Sequence, residues 1–469
     1  MKRKLYDQLL KWKTEEHGES AVLIEGARRV GKSWVAEEFA KNEYEAYLVI
    51  DFSIADAEIK SIFNHYLGNI DTFFEKLLNA LGVNLPHRKS LVIFDEVQRF
   101  PRAREAIKAL VADGRYDYIE TGSLLSIKEN TEGILIPSEE THLKMYPMDF
   151  EEFLWSRGND TLMDYIRECY SSRKPLGQAV HRKAMDYFRE YMIVGGMPQV
   201  VKKYADTKDL KIADREKRKI LSLYRDDIAR HAKRYSEKVR RIFDEIPGQL
   251  SKHEKKFSLT SLGKGTRMRS YEDAFLWLDD AMVVNPCYNT TEPNVGLRLN
   301  MDNSAFKCYM ADTGLLVSHT FDDNVLAAEG IHKRLLLGKL EINEGMLMEN
   351  IVAQMLKATG RPLFFFSKYD KSNAAERMEI DFLIAKSKIG RRRNIIPIEV
   401  KSSKRYTTNS IDKFVLKYQM QSDVPVILHT KDLKVENGVM PTMRNLISAS
   451  SAQAVARWAC PLRRLISTH

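Results

Sequence analysis

Ala21-Val22-Leu23-Ile24 leads through Glu25 into Gly26-Ala27-Arg28-Arg29-Val30-Gly31-Lys32-Ser33, and the helical pattern of Trp34, Val35 and Phe39 follows. The order predicts a buried strand, a glycine-bounded loop and a helix, and the loop spells G-x-x-x-x-G-K-S. Gly26 and Gly31 permit backbone angles that turn the N–H groups of Ala27, Arg28, Arg29 and Val30 inward around a β-phosphate. Lys32 supplies a point charge to the β- and γ-phosphates, and Ser33 supplies an oxygen to Mg²⁺.

A second apolar run, Leu91-Val92-Ile93-Phe94, ends in Asp95-Glu96. In this arrangement the first carboxylate holds Mg²⁺ through water and the second polarises the attacking water. Tyr47–Asp51 and Tyr116–Glu120 read as two more buried strands, the latter followed by Thr121-Gly122-Ser123. Strands alternating with helical segments predict a parallel sheet covered on both faces, with the ligand at the carboxyl ends of the strands. Thr121 and Ser123 then sit beside Asp95, where they sense the γ-phosphate.

Around this core the chain has 469 residues, about three domains at roughly 150 residues each. Hydrophobic residues make up 44% and charged residues 29%, which excludes a disordered or fibrous chain. No apolar run approaches the ~18 residues of a membrane span, and the basic start Met1-Lys2-Arg3-Lys4 leads into no apolar signal core, so no membrane partner and a cytoplasmic location are expected. The four cysteines, Cys169, Cys287, Cys308 and Cys460, lack metal-ligand or redox-pair spacing and read as reduced and structural. The net charge of +10 is uneven. Residues 1–150 carry 20 basic and 25 acidic side chains, residues 151–340 carry 33 and 27, and residues 341–469 carry 21 and 12. A polyanionic partner is therefore expected only beyond the first third.

The phosphate loop, Asp95-Glu96-Val97-Gln98-Arg99-Phe100-Pro101, Thr121-Gly122-Ser123 and Tyr146-Pro147-Met148-Asp149-Phe150-Glu151-Glu152-Phe153 together resemble a group of prokaryotic AAA-type P-loop ATPases. In that group the ATPase is fused to a C-terminal domain of unknown function resembling the PD-(D/E)xK nuclease fold. The resemblance continues through Tyr191–Pro198 and Met310–Leu315, to about residue 440. It implies ATP hydrolysis by an AAA core, with ATP and Mg²⁺ as cofactors; a homo-oligomer is left open by the sequence. Many relatives carry a Gly-Arg pair after the sensor strand; Gly133–Glu140 contains no arginine, so no arginine finger is assigned.

From about residue 150 the strand signal fades, and amphipathic stretches cover 160–171, 179–193, 210–233 and 235–247. Residues 211–269 hold 18 basic and 8 acidic side chains, readable either as a phosphate-tracking face or as helix faces laced with ion pairs. Ser258–Leu262, a Gly-Lys-Gly turn and the face of Tyr271, Phe275, Leu278 and Met282 predict a winged-helix or helix-turn-helix unit. Glu272, Asp273, Asp279 and Asp280 on its second helix repel DNA phosphates, which favours a packing role.

In the last third a helix carries Glu349, a strand carries Glu379-Ile380-Asp381-Phe382-Leu383-Ile384, and another carries Ile398-Glu399-Val400-Lys401. Strand alternation puts Glu379 and Asp381 on one face and Ile380, Phe382 and Ile384 on the other, and likewise pairs Glu399 with Lys401. If these strands pair through the basic turn Lys386 to Arg393, then Asp381, Glu399 and Lys401 converge. The carboxylates then bind Mg²⁺ or Mn²⁺, Glu349 completes the shell, and Lys401 activates a water for phosphodiester attack. The order helix-Glu, strand-Asp, Glu-x-Lys matches the nuclease-like pattern. A buried Glu-Asp-Glu set with one lysine needs further positive charge, which also favours a metal.

The expected architecture is α/β: an AAA-type ATPase domain at 1–150, a helical lid or linker at 151–250, a winged-helix-like module at 251–330, a restriction-endonuclease-like domain at 331–440 and a basic tail at 441–469. The expected function is ATP hydrolysis at Lys32, Ser33, Asp95 and Glu96, coupled to a C-terminal domain that handles nucleic acid. The alternative is an ATP-dependent switch or scaffold for a protein partner, with an inert nuclease-like domain.

Overall fold

Apolar runs without polar interruption are strands that must be covered on both sides, and β1 (Ala21–Gly26) and β3 (Ser90–Asp95) are buried along their whole length, as is β4 (Asp117–Gly122), in which polar and apolar residues mix. With β2 (Ala46–Asp51) and β5 (Glu140–Met145) they form an all-parallel sheet in the order β2-β3-β4-β1-β5. This computed structural model describes residues 1–123, 138–252, 255–263, 267–294, 296–321, 330, 334, 336, 344–369, 373, 376–385, 395–402, 406–418, 425–432, 434–435 and 443–444. The chain divides into two units: Met1–Tyr146 with Asp280–Met282, and Pro147–Asp279 with Val283–His469.

In the first unit α1 (Leu5–Glu16) packs on α2 (Lys32–Glu43), which lies against β1 to β4. The opposite face is covered by α3 (Ala57–Tyr66), α4 (Ile70–Leu81) and α5 (Pro101–Asp113). Its core takes every second strand residue: Ala21 and Leu23, Leu48 and Ile50, Val92 and Phe94, and Tyr118. Phe52, Phe63, Phe73, Phe94 and Phe100 interlock there, with ring centroids 5.0–5.9 Å apart.

In the second unit the helices are α6 (Phe150–Ser156), α7 (Leu162–Ser172), α8 (Gln178–Val194), α9 (Pro198–Thr207), α10 (Leu210–His231), α11 (Ser236–Leu250) and α12 (Glu272–Asp280). A hairpin of β6 (Val284–Thr290) and β7 (Met301–Met310) leads to α13 (Thr313–Thr320) and α14 (Glu344–Lys357). The remaining elements are β8 (Leu363–Lys368), β9 (Met378–Ala385), β10 (Ile395–Lys401), α15 (Asn409–Lys417), β11 (Val426–His429), β12 (Lys434–Val435) and β13 (Met443–Arg444). All eight strands join one mixed sheet in the order β12-β13-β11-β10-β9-β8-β6-β7. β8, β9 and β10 form an antiparallel meander, and β11 returns parallel to β10.

The middle of the chain has two features that bear on its reading. Among residues 255–280 that are described there is one α-helix, because Leu259–Leu262 and Met268–Ser270 are single 3-10 turns, and the hairpin β6–β7 pairs with β8 instead of closing a separate wing. The basic stretch 211–269 is extensively ion-paired: Arg218 with Asp214, Lys219 with Glu216, Arg225 and Arg240 with Asp244, and Arg241 with Glu237. Lys217 is fully buried and donates to Ile193 O at 2.7 Å.

Three motif stretches dock on one another. Asp312 accepts from Gly196 N at 2.5 Å and Leu315 N at 2.8 Å, Tyr191 Oη donates to Met148 O at 2.7 Å, and Gln354 of α14 donates to Tyr191 Oη at 3.0 Å. Gly314 has no room for a side chain, since a Cβ there would overlap the Val194 carbonyl and lie 2.5 Å from Gly195 N. These bonds fix α14, the helix that carries Glu349.

Candidate functional site

β1 ends at Gly26 and α2 starts at Lys32, so the five residues between them turn sharply, with Arg29 (φ 69°) and Gly31 (φ 94°) in left-handed conformations. Gly31 stands at the N-cap of α2 with no side-chain cap, which leaves the helix's first N–H groups for an anion. Ala27 and Val30 are buried, Arg28 is half-buried and Arg29 is exposed. Lys32 is buried and folds back onto the loop, donating to Gly26 O and Ala27 O at 3.1 Å each. Burial pulls its pKa down to about 8.

The strand order puts β4 between β1 and β3, so Thr121 at the end of β4 is the neighbour of Asp95 at the end of β3. Ser33 Oγ donates to Asp95 Oδ1 at 2.7 Å, and Thr121 Oγ1 donates to the same oxygen. A hydroxyl and a carboxylate in contact beside a phosphate loop are hard oxygen donors, and Mg²⁺ needs only one or two carboxylates when phosphates fill the rest of its shell. Ser33 and Asp95 therefore fit that ion. Glu96 follows in a left-handed conformation (φ 53°), its N–H 3.4 Å from Thr121 Oγ1, and its carboxylate accepts from Gln98 Nε2. Ser123 directly follows β4.

In the second unit Glu349, Asp381, Glu399 and Lys401 line one cleft of about 420 Å³. β9 and β10 pair antiparallel; the turn from Lys386 to Arg393 lies outside the described residues. The alternation expected for β9 fails after Asp381. The register with β8 shifts by one residue there, so Leu383 and Ala385 join Ile380 in the core under α15, and Phe382 packs on Tyr309 with centroids 5.7 Å apart. Such a bulge re-aims side chains, and it sits at Asp381, whose Oδ2 accepts from Val400 N at 2.9 Å.

The expectation of a metal meets a different arrangement. Among the described residues no group of three or more His, Cys, Asp or Glu side chains is placed to hold a metal ion. The extra positive charge comes from lysines on other elements. Lys307 of β7, 1% exposed, places Nζ 2.8 Å from Glu379 Oε1, 3.5 Å from Asp381 Oδ1 and 3.8 Å from Glu349 Oε2. Lys255 pairs with Glu349 Oε1, and Lys401 lies 2.9 Å from Glu399 Oε2. Tyr309 Oη donates to Glu349 Oε2 at 3.1 Å. Burial lowers the pKa of Lys307, but Glu349, Glu379 and Asp381 outweigh it and hold the ammonium charged. Burial pushes Glu399 up to about 7. Lys255 and Lys307 were not among the expected site residues. The signal was there: Lys307 interrupts the apolar run Phe306-Lys307-Cys308-Tyr309-Met310, and a charge inside a buried strand needs a counter-charge.

Three family models match parts of the chain. Residues 18–154 match the family model described as AAA domain. Residues 185–324 and 344–445 match models described as Domain of unknown function (DUF8612) and Domain of unknown function (DUF4143). No curated protein matches the chain. Among solved structures, the Thermotoga maritima RuvB Holliday junction branch migration motor is similar at 13% identity over 61% of this chain and 89% of that one, with a TM-score of 0.28. The S. cerevisiae Hsp104-ADP complex is similar at 11% identity over 97% of this chain and 51% of that one, with a TM-score of 0.26. The family match, the parallel sheet and the phosphate loop together support an AAA-type ATPase domain in the first unit. No helix among the described residues is long and apolar enough to cross a membrane.

Proposed function

We propose that the first unit binds and hydrolyses ATP with Mg²⁺, and that the second, whose helix, antiparallel meander, helix and parallel strand support a nuclease-like reading, binds nucleic acid. The observation that carries the ATPase reading is the meeting of Ser33, Asp95 and Thr121 beside buried Lys32. The loop from Gly26 to Gly31 and the start of α2 offer backbone N–H groups to the phosphates. Lys32 leaves the two carbonyls it now contacts and turns to the phosphates. Ser33 and Asp95 would hold Mg²⁺, which neutralises phosphate charge when bound. Thr121, already bonded to Asp95, keeps that carboxylate aimed at the loop, and Ser123 stands where a γ-phosphate contact is expected. Glu96 is the base that orients and deprotonates the attacking water, and Gln98 holds it until then. Phosphate release by the Lys32→Ala variant should fall to background; turnover equal to the unmutated protein would refute the site.

A second reading, an ATP-dependent switch or scaffold with an inert nuclease-like domain, is favoured by the lysines among the cleft carboxylates. With four acids and four lysines lining it, the cleft is balanced as it stands. Incubation with Mg²⁺ or Mn²⁺ and single- or double-stranded DNA or RNA decides between cutting and binding. Products that disappear in the Lys401→Ala variant support cutting, and retention without products supports an inert cleft.

A further inference from the structure

A divalent ion bound by carboxylates sits about 2.0–2.6 Å from their oxygens and brings two charges to the point where they converge. In this cleft that point already holds a charge. Lys307 reaches it from β7, a strand outside the β8–β9–β10 meander that carries Asp381 and Glu399. Its ammonium lies within 4 Å of Glu349, Glu379 and Asp381, which come from a helix and a different strand. The side chain is 1% exposed and passes the ring of Phe365, with Nζ 5.1 Å from the centroid. Moving a buried ammonium away from its partners leaves an uncompensated charge. Lys255 also pairs with Glu349, through Oε1 where Lys307 faces Oε2, and Lys401 pairs with Glu399.

We propose that Lys307 is a resident cation, occupying in this cleft the position a divalent metal would take between Glu349, Glu379 and Asp381, so that the unmutated protein binds no divalent ion there. The inference rests on the nuclease-like reading only for the expectation of a metal. It is tested by ion binding, whereas the ATPase reading is tested by phosphate release, so one can fail without the other.

Mn²⁺ is titrated into the nucleotide-free full-length protein, and free Mn²⁺ is followed by its paramagnetic resonance signal. The unmutated chain and Asp381→Asn should take up the same small amount. Lys307→Met, which keeps the apolar stem and removes the charge, should gain a site at least about tenfold tighter than any in the unmutated chain, and Lys307→Met with Asp381→Asn should lose it. A Mn²⁺ site in the unmutated protein that Asp381→Asn removes overturns the proposal. So does a folded Lys307→Met variant with no added site. If Lys307→Met does not fold, the comparison of the unmutated chain with Asp381→Asn still decides, because it needs no change at Lys307.

Discussion

Lys32 is buried with its charge beside two carbonyls, and its pKa is drawn down to about 8, so above that pH much of the empty site carries a neutral amine. Phosphate groups favour the ammonium and raise the pKa again. Nucleotide binding at about pH 9 should therefore take up a proton that binding at about pH 7 does not. Titration calorimetry in buffers of different ionisation enthalpy reads this directly, and equal proton uptake at both pH values would contradict it. Glu96 separates binding from turnover. Glu96→Gln keeps the shape and removes the base, so hydrolysis should fall by about 10²-fold or more with nucleotide affinity nearly unchanged.

At the scale of elements, β1, β4, β5 and α5 share a charged network: Arg104 pairs with Glu140 at 2.7 Å, and His142 bridges Glu140 and Glu25 at 3.3 and 3.2 Å. Burial pushes Glu120 well above the usual carboxylate range, while Arg104 and His142 help hold Glu140 at about 2 against its own burial. Bonds to Glu140 and Glu25 raise His142 to about 9. Because the folded pKa lies above the unfolded one, this stabilisation is complete below about pH 6.5 and is lost as pH rises through about 9. His142 is 44% exposed, so screening leaves on the order of 1 kcal/mol. His142→Ala should flatten the fall in stability of the first unit between those pH values, as followed by urea unfolding. In the second unit, Gly314→Ala drives a methyl into the Val194 carbonyl and should cost about 2 kcal/mol or more, seen as a lower Tm.

Elements whose evidence is local were readable in advance. The phosphate loop is eight consecutive residues, and the strand ending at Asp95 is an uninterrupted apolar run, so both follow from short windows. The carboxylate set was readable for the same reason. The lysines that neutralise it were not, because Lys255 and Lys307 lie 94 and 42 residues from Glu349 in the chain and meet it only through the sheet. The bulge at Asp381 was also hidden, since it depends on the register of β8 and β9 and not on the composition of either.

Over the whole molecule, the first 150 residues are acidic on balance and the rest basic, but ion pairs within the helices tie up several of the basic side chains that phosphates would have to engage. Nucleic-acid binding should therefore be weak and should fall by about tenfold or more between ~50 and ~200 mM salt. Filter binding over that range checks it, and salt-independent retention would point to a protein partner instead. Stimulation of ATP turnover by DNA or RNA would show that the two activities communicate.

The strand order of the first unit also bears on how the chain is made. β1 has only β4 and β5 as neighbours, and these begin at Asp117 and Glu140. A nascent chain that has exposed residues up to Asp95 can pair β2 with β3, yet the strand that ends in the phosphate loop still has nothing to bond to. Nucleotide can bind only after the emergence of β4, and the strand is flanked on both sides only once residue 145 has appeared. The phosphate loop, though encoded within the first 33 residues, is among the last parts of its sheet to be fixed in place, and the intervening segment must stay free of wrong pairings until then.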